Sequence, residues 1–165
     1  QVVKPSVGVM IEIPALMYQV KALSSRVDFI SVGSNDLSQY LLAIDRNNPR
    51  VAGIYSTMHP SVLRALKQIA EDVHRENMRL SICGEMAGNP GAAVLLMAMG
   101  YEVLSMNATS LLKVKSVIRN VTFQQAKELL EKVLAEDDTE AVKALVDIEL
   151  YNAGVDRLLR TSSNS

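Results

Sequence analysis

Short apolar runs rich in β-branched residues recur along the chain and are separated by longer segments with helical periodicity. These runs predict strands over residues 7–13, 27–32, 80–84 and 101–106. The first run is nearly continuous and is closed by Pro14, which predicts a strand that is buried on both faces. Strands that alternate with helices in this way are typical of a parallel sheet with helical crossovers.

Helix signals fill the intervals between the strands and continue after the last one. Val62, Leu66, Ile69 and Val73 share one helical face, and Thr122 begins a segment with capping-box spacing. The predicted helices cover residues 15–25, 37–43, 60–77, 90–99, 110–119, 123–135 and 139–152.

Polar residues stand where the predicted strands stop. Glu12 follows the first strand, Asn35 and Asp36 the second, Cys83 ends the third, and Ser105 lies at the end of the fourth. A doubly wound sheet and a β/α barrel share this element order. A row of polar strand ends favours the barrel, because such a barrel builds its active site at the carboxyl ends of its strands.

The fold class predicted is therefore α/β, but only about four β/α units are visible where a closed (β/α)8 TIM barrel has eight. We expect half of such a barrel with further helices after it. The expected domain covers residues 1–160, with a helical extension from about residue 121 and a frayed tail at 161–165.

Composition narrows the choice of function. The 165 residues are 48% hydrophobic and include 17 Lys and Arg against 18 Asp and Glu. This balance leaves no basic excess for nucleic acid or an anionic membrane surface. One cysteine cannot form an internal disulfide, which favours a reducing, cytoplasmic setting. The chain begins with Gln1 and lacks a signal-peptide pattern, so we expect a piece of a longer polypeptide without membrane spans.

Several residues at the strand ends could carry chemistry. Glu12 and Asp36 could converge as oxygen ligands for Mg²⁺, or instead pair with arginines, and Asp36 could cap a helix at Leu37. Asn35 places an amide beside them. Arg46 could bind a phosphate or carboxylate in bidentate fashion, or be a solvated residue of a turn.

Cys83 is a second kind of candidate. A thiol at a strand end next to Gly84 could act as acid, base or nucleophile, although free cysteines are often buried as small hydrophobes. His59 and His74 are assigned structural roles because neither has the neighbours of a catalytic triad. No glycine-rich phosphate loop occurs in the sequence.

Four ordered strings together point to a known family: GVMIEIPA at 8–15, GSNDLSQY at 33–40, DRN at 45–47 and CGEMAG at 83–88. They resemble the phosphoenolpyruvate-binding domain of Enzyme I, the phosphoenolpyruvate-protein phosphotransferase of the bacterial phosphotransferase system. The resemblance runs from residue 7 to about residue 159. Residues 46–52 and 59–66 resemble the nitrogen-related branch of the family more than the sugar branch.

The resemblance implies specific roles. Glu12 and Asp36 match the family's Mg²⁺ ligands, Asn35, Asp36 and Arg46 its phosphoenolpyruvate contacts, and Cys83 its proton donor. The family passes a phosphoryl group from phosphoenolpyruvate to an enzyme histidine and on to an HPr-type carrier, releasing pyruvate. It also dimerises through this C-terminal domain, so the resemblance implies the C-terminal half of the barrel and a homodimer.

Departures from the family pattern limit this expectation. The family's phosphohistidine domain and the first barrel half, which supplies two further arginines, have no counterpart in the 165 residues. We therefore expect no phosphotransferase activity from this piece alone. Two alternatives stay open. One is a non-catalytic dimerisation or regulatory module. The other is a domain of the pyruvate phosphate dikinase or synthase type, although dikinases tend to have His-Gly-Gly at 86–88.

Overall fold

The sheet is parallel and has four strands in chain order. The computed structural model describes residues 3–155. Its strands are β1 (Gly8–Ile11), β2 (Phe29–Gly33), β3 (Arg79–Cys83) and β4 (Val103–Ser105), and each pairs in parallel with the next. The predicted α/β class and the four strands are confirmed, and the arrangement is consistent with part of an α/β barrel.

Helices connect the strands and follow the last one. The α-helices are α1 (Val20–Leu23), α2 (Ser34–Leu42), α3 (Pro60–Arg75), α4 (Pro90–Met99), α5 (Ala108–Asn120), α6 (Phe123–Ala135) and α7 (Thr139–Asn152). Three 3-10 helices cover Pro14–Gln19, Ala52–Ile54 and Glu85–Gly88. Within residues 3–155, none of these helices has the length and apolar composition to cross a bilayer. The predicted frayed tail at 161–165 lies outside the described residues.

The predicted helix starts are borne out by hydrogen bonds. Asn89 Oδ1 accepts from the Ala92 amide at 2.9 Å, ahead of Pro90 at the first position of α4. Thr122 and Gln125 form the complete capping box of α6. Each cap satisfies a backbone amide that the helix itself leaves without a partner.

The helix predicted over residues 15–25 is only partly α-helical. The segment begins as the 3-10 helix Pro14–Gln19, with the Leu16 amide bonded to the Ile13 carbonyl, and only four residues of α1 follow. Met17 and Val20 are both buried. Because a 3-10 helix repeats every three residues, it places side chains three positions apart on one face.

The expectation that the first strand is buried on both faces is also wrong. Ile11 is fully buried beneath the helices, as are Ile30 and Ile82 on the neighbouring strands. Met10 points to the opposite face and is 42% exposed, and Val103 on β4 is 57% exposed. Side chains alternate along a strand, and within the described residues helices cover one face of this sheet. The other face, which we call the open face, is uncovered there.

The helices after β4 form a second layer. Helix α4 is apolar on all sides, and Ala92 to Leu96 are fully buried. Such a helix needs partners around its whole circumference. It contacts α5, α6 and α7 as well as α3. The start of α5 reaches the carboxyl end of the sheet, which carries the polar residues described next.

Candidate active site

The five residues singled out from the sequence lie together at the carboxyl edge of the sheet. Glu12, Asn35, Asp36, Arg46 and Cys83 all line one cavity of about 120 Å³. The parallel register explains the convergence, because Ile11 is paired with Val32, and Gly33 with Cys83. Each polar residue therefore leaves the sheet at the same edge. Their chemical roles stay predictions.

Glu12 reaches this cavity across a glycine. A Cβ atom on Gly33 would lie 2.7 Å from Glu12 Cγ and 3.0 Å from Oε1. A side chain at position 33 would therefore force the Glu12 side chain to move. The glycine at the end of β2 therefore leaves the space in which the Glu12 carboxylate lies.

Arg46 is paired on one side only. Its Nη2 lies 3.1 Å from Asp36 Oδ1, whereas Nη1 is buried and has no hydrogen-bond partner within residues 3–155. Asp36 lies in the first turn of α2, which begins at Ser34, so the alternative that Asp36 caps a helix at Leu37 is wrong. The alternative in which Asp36 pairs with an arginine is observed. A buried N–H without a partner costs about 1–3 kcal/mol, so Nη1 is suited to an anionic oxygen.

Cys83 is held by hydrogen bonds from α2 to the turn that follows β3. The Ser34 hydroxyl donates to the Cys83 carbonyl at 2.7 Å, and Asn35 Oδ1 accepts from the Glu85 amide at 3.0 Å. Gly84, with φ of +102°, lies between them, and a Cβ there would overlap Ser34 Oγ. Cys83 is partly exposed and is thus not a wholly buried small hydrophobe.

Tyr55 belongs to this region and was not singled out from the sequence. Its hydroxyl donates to the Asn35 carbonyl at 3.2 Å. Burial raises the pKa of the phenol above its ordinary value of 10.0, the Ser38 hydroxyl and the Arg46 guanidinium oppose that rise, and Glu85 adds to it. The phenol therefore stays protonated at neutral pH. Tyr55 lies in an irregular loop with no periodic pattern, so no sequence signal marked it.

A larger polar cavity of about 670 Å³ adjoins the smaller one. Cys83 and Gly84 line both cavities, and Ser105, Ser110 and Lys113 line only the larger. His59 lies elsewhere and has a structural role, because its Nδ1 accepts from the Ser61 amide at the start of α3. Cys83 thus lies between the small cavity, which contains the carboxylates and Arg46, and the larger polar cavity.

Comparison with known proteins agrees with this arrangement. The family model described as "PEP-utilising enzyme, PEP-binding domain" matches residues 1–123. The chain is 42% identical over 157 residues to a Salmonella typhimurium protein named phosphoenolpyruvate-dependent phosphotransferase system. The matched region covers 95% of the chain and 21% of that protein.

Two proteins named phosphoenolpyruvate-protein phosphotransferase are similarly close. The Haemophilus influenzae protein is 43% identical over 141 residues, 86% of the chain and 24% of that protein. The Enterococcus faecalis protein is 44% identical over 142 residues, 86% of the chain and 25% of that protein. The chain thus spans about a fifth to a quarter of the length of these curated relatives. Because the family model covers well over half of the 165 residues, the chain belongs to the phosphoenolpyruvate-utilising enzymes and carries their phosphoenolpyruvate-binding domain.

Proposed function

We propose that the chain is part of a phosphoenolpyruvate-protein phosphotransferase, Enzyme I. The whole enzyme would pass the phosphoryl group of phosphoenolpyruvate to one of its histidines and on to an HPr-type carrier, releasing pyruvate. The observation that carries the proposal is the buried Nη1 of Arg46, which no group of residues 3–155 pairs with, beside a cavity lined by Glu12, Asp36 and Cys83. A guanidinium next to two carboxylates suits an anion that arrives with a divalent cation.

The donor set of the cavity fits Mg²⁺. Glu12 and Asp36 contribute carboxylate oxygens to the same space, and Mg²⁺ is commonly held by one or two carboxylates together with substrate oxygens. A metal site built from protein ligands alone would need three or more His, Cys, Asp or Glu residues close together. Residues 3–155 contain no such group. When bound between Glu12 and Asp36, Mg²⁺ would neutralise charge on the phosphoryl oxygens.

The protein side chains would divide the remaining work. Arg46 would bind a phosphoryl oxygen through Nη1, and the Asn35 amide would orient the substrate. Loss of the phosphoryl group to a histidine leaves the enolate of pyruvate. The Cys83 Sγ–H would then donate its proton to the methylene carbon, giving pyruvate and a thiolate that regains a proton from water. The larger cavity beside Cys83 offers that water a route.

The open face supports two further parts of the proposal. Met10 and Val103 are apolar and exposed on it, and β1 and β4 each have one unpaired edge within the described residues. We propose that this sheet is the C-terminal half of a (β/α)8 barrel and that the chain forms a homodimer, since apolar faces and free strand edges favour association. A cytoplasmic location and the nitrogen-related branch, suggested by residues 46–52 and 59–66, belong to the same proposal.

Isothermal titration calorimetry tests the substrate site. Phosphoenolpyruvate is titrated into the chain with and without Mg²⁺. We expect Mg²⁺-dependent binding that Arg46→Ala weakens at least about tenfold, because hydrogen bonds between charged groups contribute about 1.5–3 kcal/mol. Arg50→Ala is the matched control, since Arg50 lies in the same loop and is exposed.

The same titration separates the alternatives. Absence of binding by the unaltered chain would contradict a preformed substrate site and favour the second candidate, a dimerisation or regulatory module that keeps the family's residues. The exposed apolar open face is the observation behind that candidate. A pyruvate phosphate dikinase or synthase domain is less favoured, because the relatives named above are phosphotransferases.

A further inference from the structure

Arg46 and its ion-pair partner Asp36 reach the small cavity from two separate parts of the chain. The first turn of α2 carries Asn35 and Asp36 directly after β2, and a loop over residues 45–56 carries Arg46. That loop contains one regular element, the 3-10 helix Ala52–Ile54, and its other hydrogen bonds are mostly internal turns. The position of Arg46 relative to Asp36 therefore depends on contacts between the loop and α2.

Three polar contacts join the two parts within the described residues. The Arg46 amide donates to Gln39 Oε1 at 3.3 Å, Arg46 Nη2 pairs with Asp36 Oδ1 at 3.1 Å, and the Tyr55 hydroxyl donates to the Asn35 carbonyl at 3.2 Å. The first is long, and the second is the ion pair that an anionic ligand would compete for. The Tyr55 contact is the one of the three that Arg46 does not itself make.

We propose that Tyr55 is a positioning residue that couples the Arg46 loop to the turn of α2 carrying Asn35 and Asp36. The inference rests on the proposed function of that site. Tyr55 is not among the residues that line the small cavity. It therefore acts through Asn35 and Arg46 and has no role in the chemistry itself.

The surroundings of the phenol agree with this role. Tyr55 is partly buried, and Ser38 on α2 and Arg46 on the loop are both neighbours of its hydroxyl. The ring thus fills the space between the two parts while the hydroxyl fixes their spacing. Removing the oxygen and keeping the ring would leave the packing and remove the link.

Tyr55→Phe tests the coupling, with Tyr18→Phe as the matched control because Tyr18 is 77% exposed and lies away from the site. Phosphoenolpyruvate is titrated in the presence of Mg²⁺. We expect Tyr55→Phe to weaken binding about fivefold, the effect of one neutral hydrogen bond, and Tyr18→Phe to leave it unchanged. The thermal midpoints of both variants establish that they fold.

The same substitution in an Arg46→Lys variant distinguishes positioning of Arg46 from a general loss of order at the site. Arg46→Lys keeps the charge but loses the forked guanidinium geometry. If Tyr55 acts by placing Arg46, adding Tyr55→Phe to Arg46→Lys changes affinity less than about twofold, because paired residues are not additive. Equal losses in both backgrounds would overturn the proposal.

A measurement without ligand keeps the proposal separate from the proposed function. In NMR spectra of the ligand-free chain, Tyr55→Phe is expected to shift the amide signals of Asn35 and Asp36 and to speed hydrogen exchange at Arg46 Nε. If the unaltered chain binds no phosphoenolpyruvate, the proposed function fails and these signals alone decide the coupling. Unchanged Arg46 signals in Tyr55→Phe would overturn it, whether or not the chain binds.

Discussion

Cys83 lies where the small acidic cavity meets the large polar one, and the residue is partly exposed while its carbonyl is held by a hydrogen bond. The Ser34 hydroxyl holds the Cys83 carbonyl, and the turn over Gly84 is kept close to α2. This arrangement suits a group that must reach a substrate carbon at one defined position and exchange a proton with solvent.

Ligand binding is therefore expected to protect the thiol from alkylation. Iodoacetamide adds one mass increment to the single cysteine, and we expect phosphoenolpyruvate with Mg²⁺ to slow that addition, whereas Mg²⁺ alone does not. Intact-protein mass spectrometry follows the rate. Cys83→Ser should keep phosphoenolpyruvate affinity within about twofold, because a proton donor is needed only after binding. An unchanged alkylation rate at saturating ligand would argue against Cys83 in the site.

Tyr101 is a residue whose ionisation affects stability. It is fully buried beside α3, and its hydroxyl donates to the Leu66 carbonyl at 3.1 Å. Burial raises its pKa well above the ordinary value of 10.0. The phenol in the unfolded chain ionises first, so the stability that the raised pKa provides is complete below pH 10 and is lost as the pH rises above it.

We expect this loss to appear in urea unfolding at alkaline pH. The free energy of unfolding of the unaltered chain should fall faster between about pH 9 and 11 than that of Tyr101→Phe, which has no proton to lose at this position. At neutral pH the variant should be less stable, because the Leu66 carbonyl loses its side-chain partner. Parallel curves for the two proteins would contradict the assignment.

At the level of elements, capped helices were predictable and irregular ones were not. Asn89 and Thr122 mark helix starts by side-chain hydrogen bonds within three residues, so the signal is local. The segment after Pro14 has no side-chain cap, and it buries Met17 and Val20 against the core. Local patterns identify elements that stabilise themselves, and tertiary packing decides the others.

Helices α4 and α7 meet at a glycine that has no room for a side chain. A Cβ on Gly91 would overlap Cγ1 of Val146, a stiff β-branched residue. We expect Gly91→Ala to lower the free energy of unfolding by about 1–3 kcal/mol, the usual cost of overpacking. Gly53→Ala is the matched control, because no atom lies within 4 Å of a Cβ at that position.

Denaturant unfolding measures both variants. The cost of Gly91→Ala should shrink when it is made in a Val146→Ala background, since the clashing methyl is then gone. Equal costs in the two backgrounds would place the strain elsewhere.

For the whole molecule, the contrast between the two faces of the sheet is the main feature. One face is sealed by helices, with Ile11, Ile30 and Ile82 fully buried, and the open face exposes Val103 and Met10. An apolar groove of about 230 Å³ lined by Phe29, Arg79 and Val103 lies on it, at the amino end of the strands. This end is remote from the candidate active site, so we expect the groove to take part in the proposed association and not in chemistry.

Light scattering tests the association. At micromolar concentration we expect at least a dimer, and we expect Val103→Arg to lower the molar mass toward the monomer because a charge on the open face opposes its burial. Ile54→Arg is the control, as Ile54 is 67% exposed in the loop over residues 45–56. A monomer before any substitution would contradict association through this face or through the strand edges.

The amino-acid sequence by itself determined the α/β class, the four strands, most of the helices and the polar residues at the strand ends. It could do so because strand runs, caps and strand-end positions are local patterns, and a parallel order brings all carboxyl ends to one edge. Tertiary structure decided the rest. Contacts between segments distant in sequence decide three features. Arg46 pairs with Asp36 through Nη2 while Nη1 has no partner within residues 3–155, Tyr55 bonds to Asn35, and one face of the sheet is exposed. No local sequence pattern predicts these long-range contacts, because burial and hydrogen bonding across the fold are set by tertiary packing.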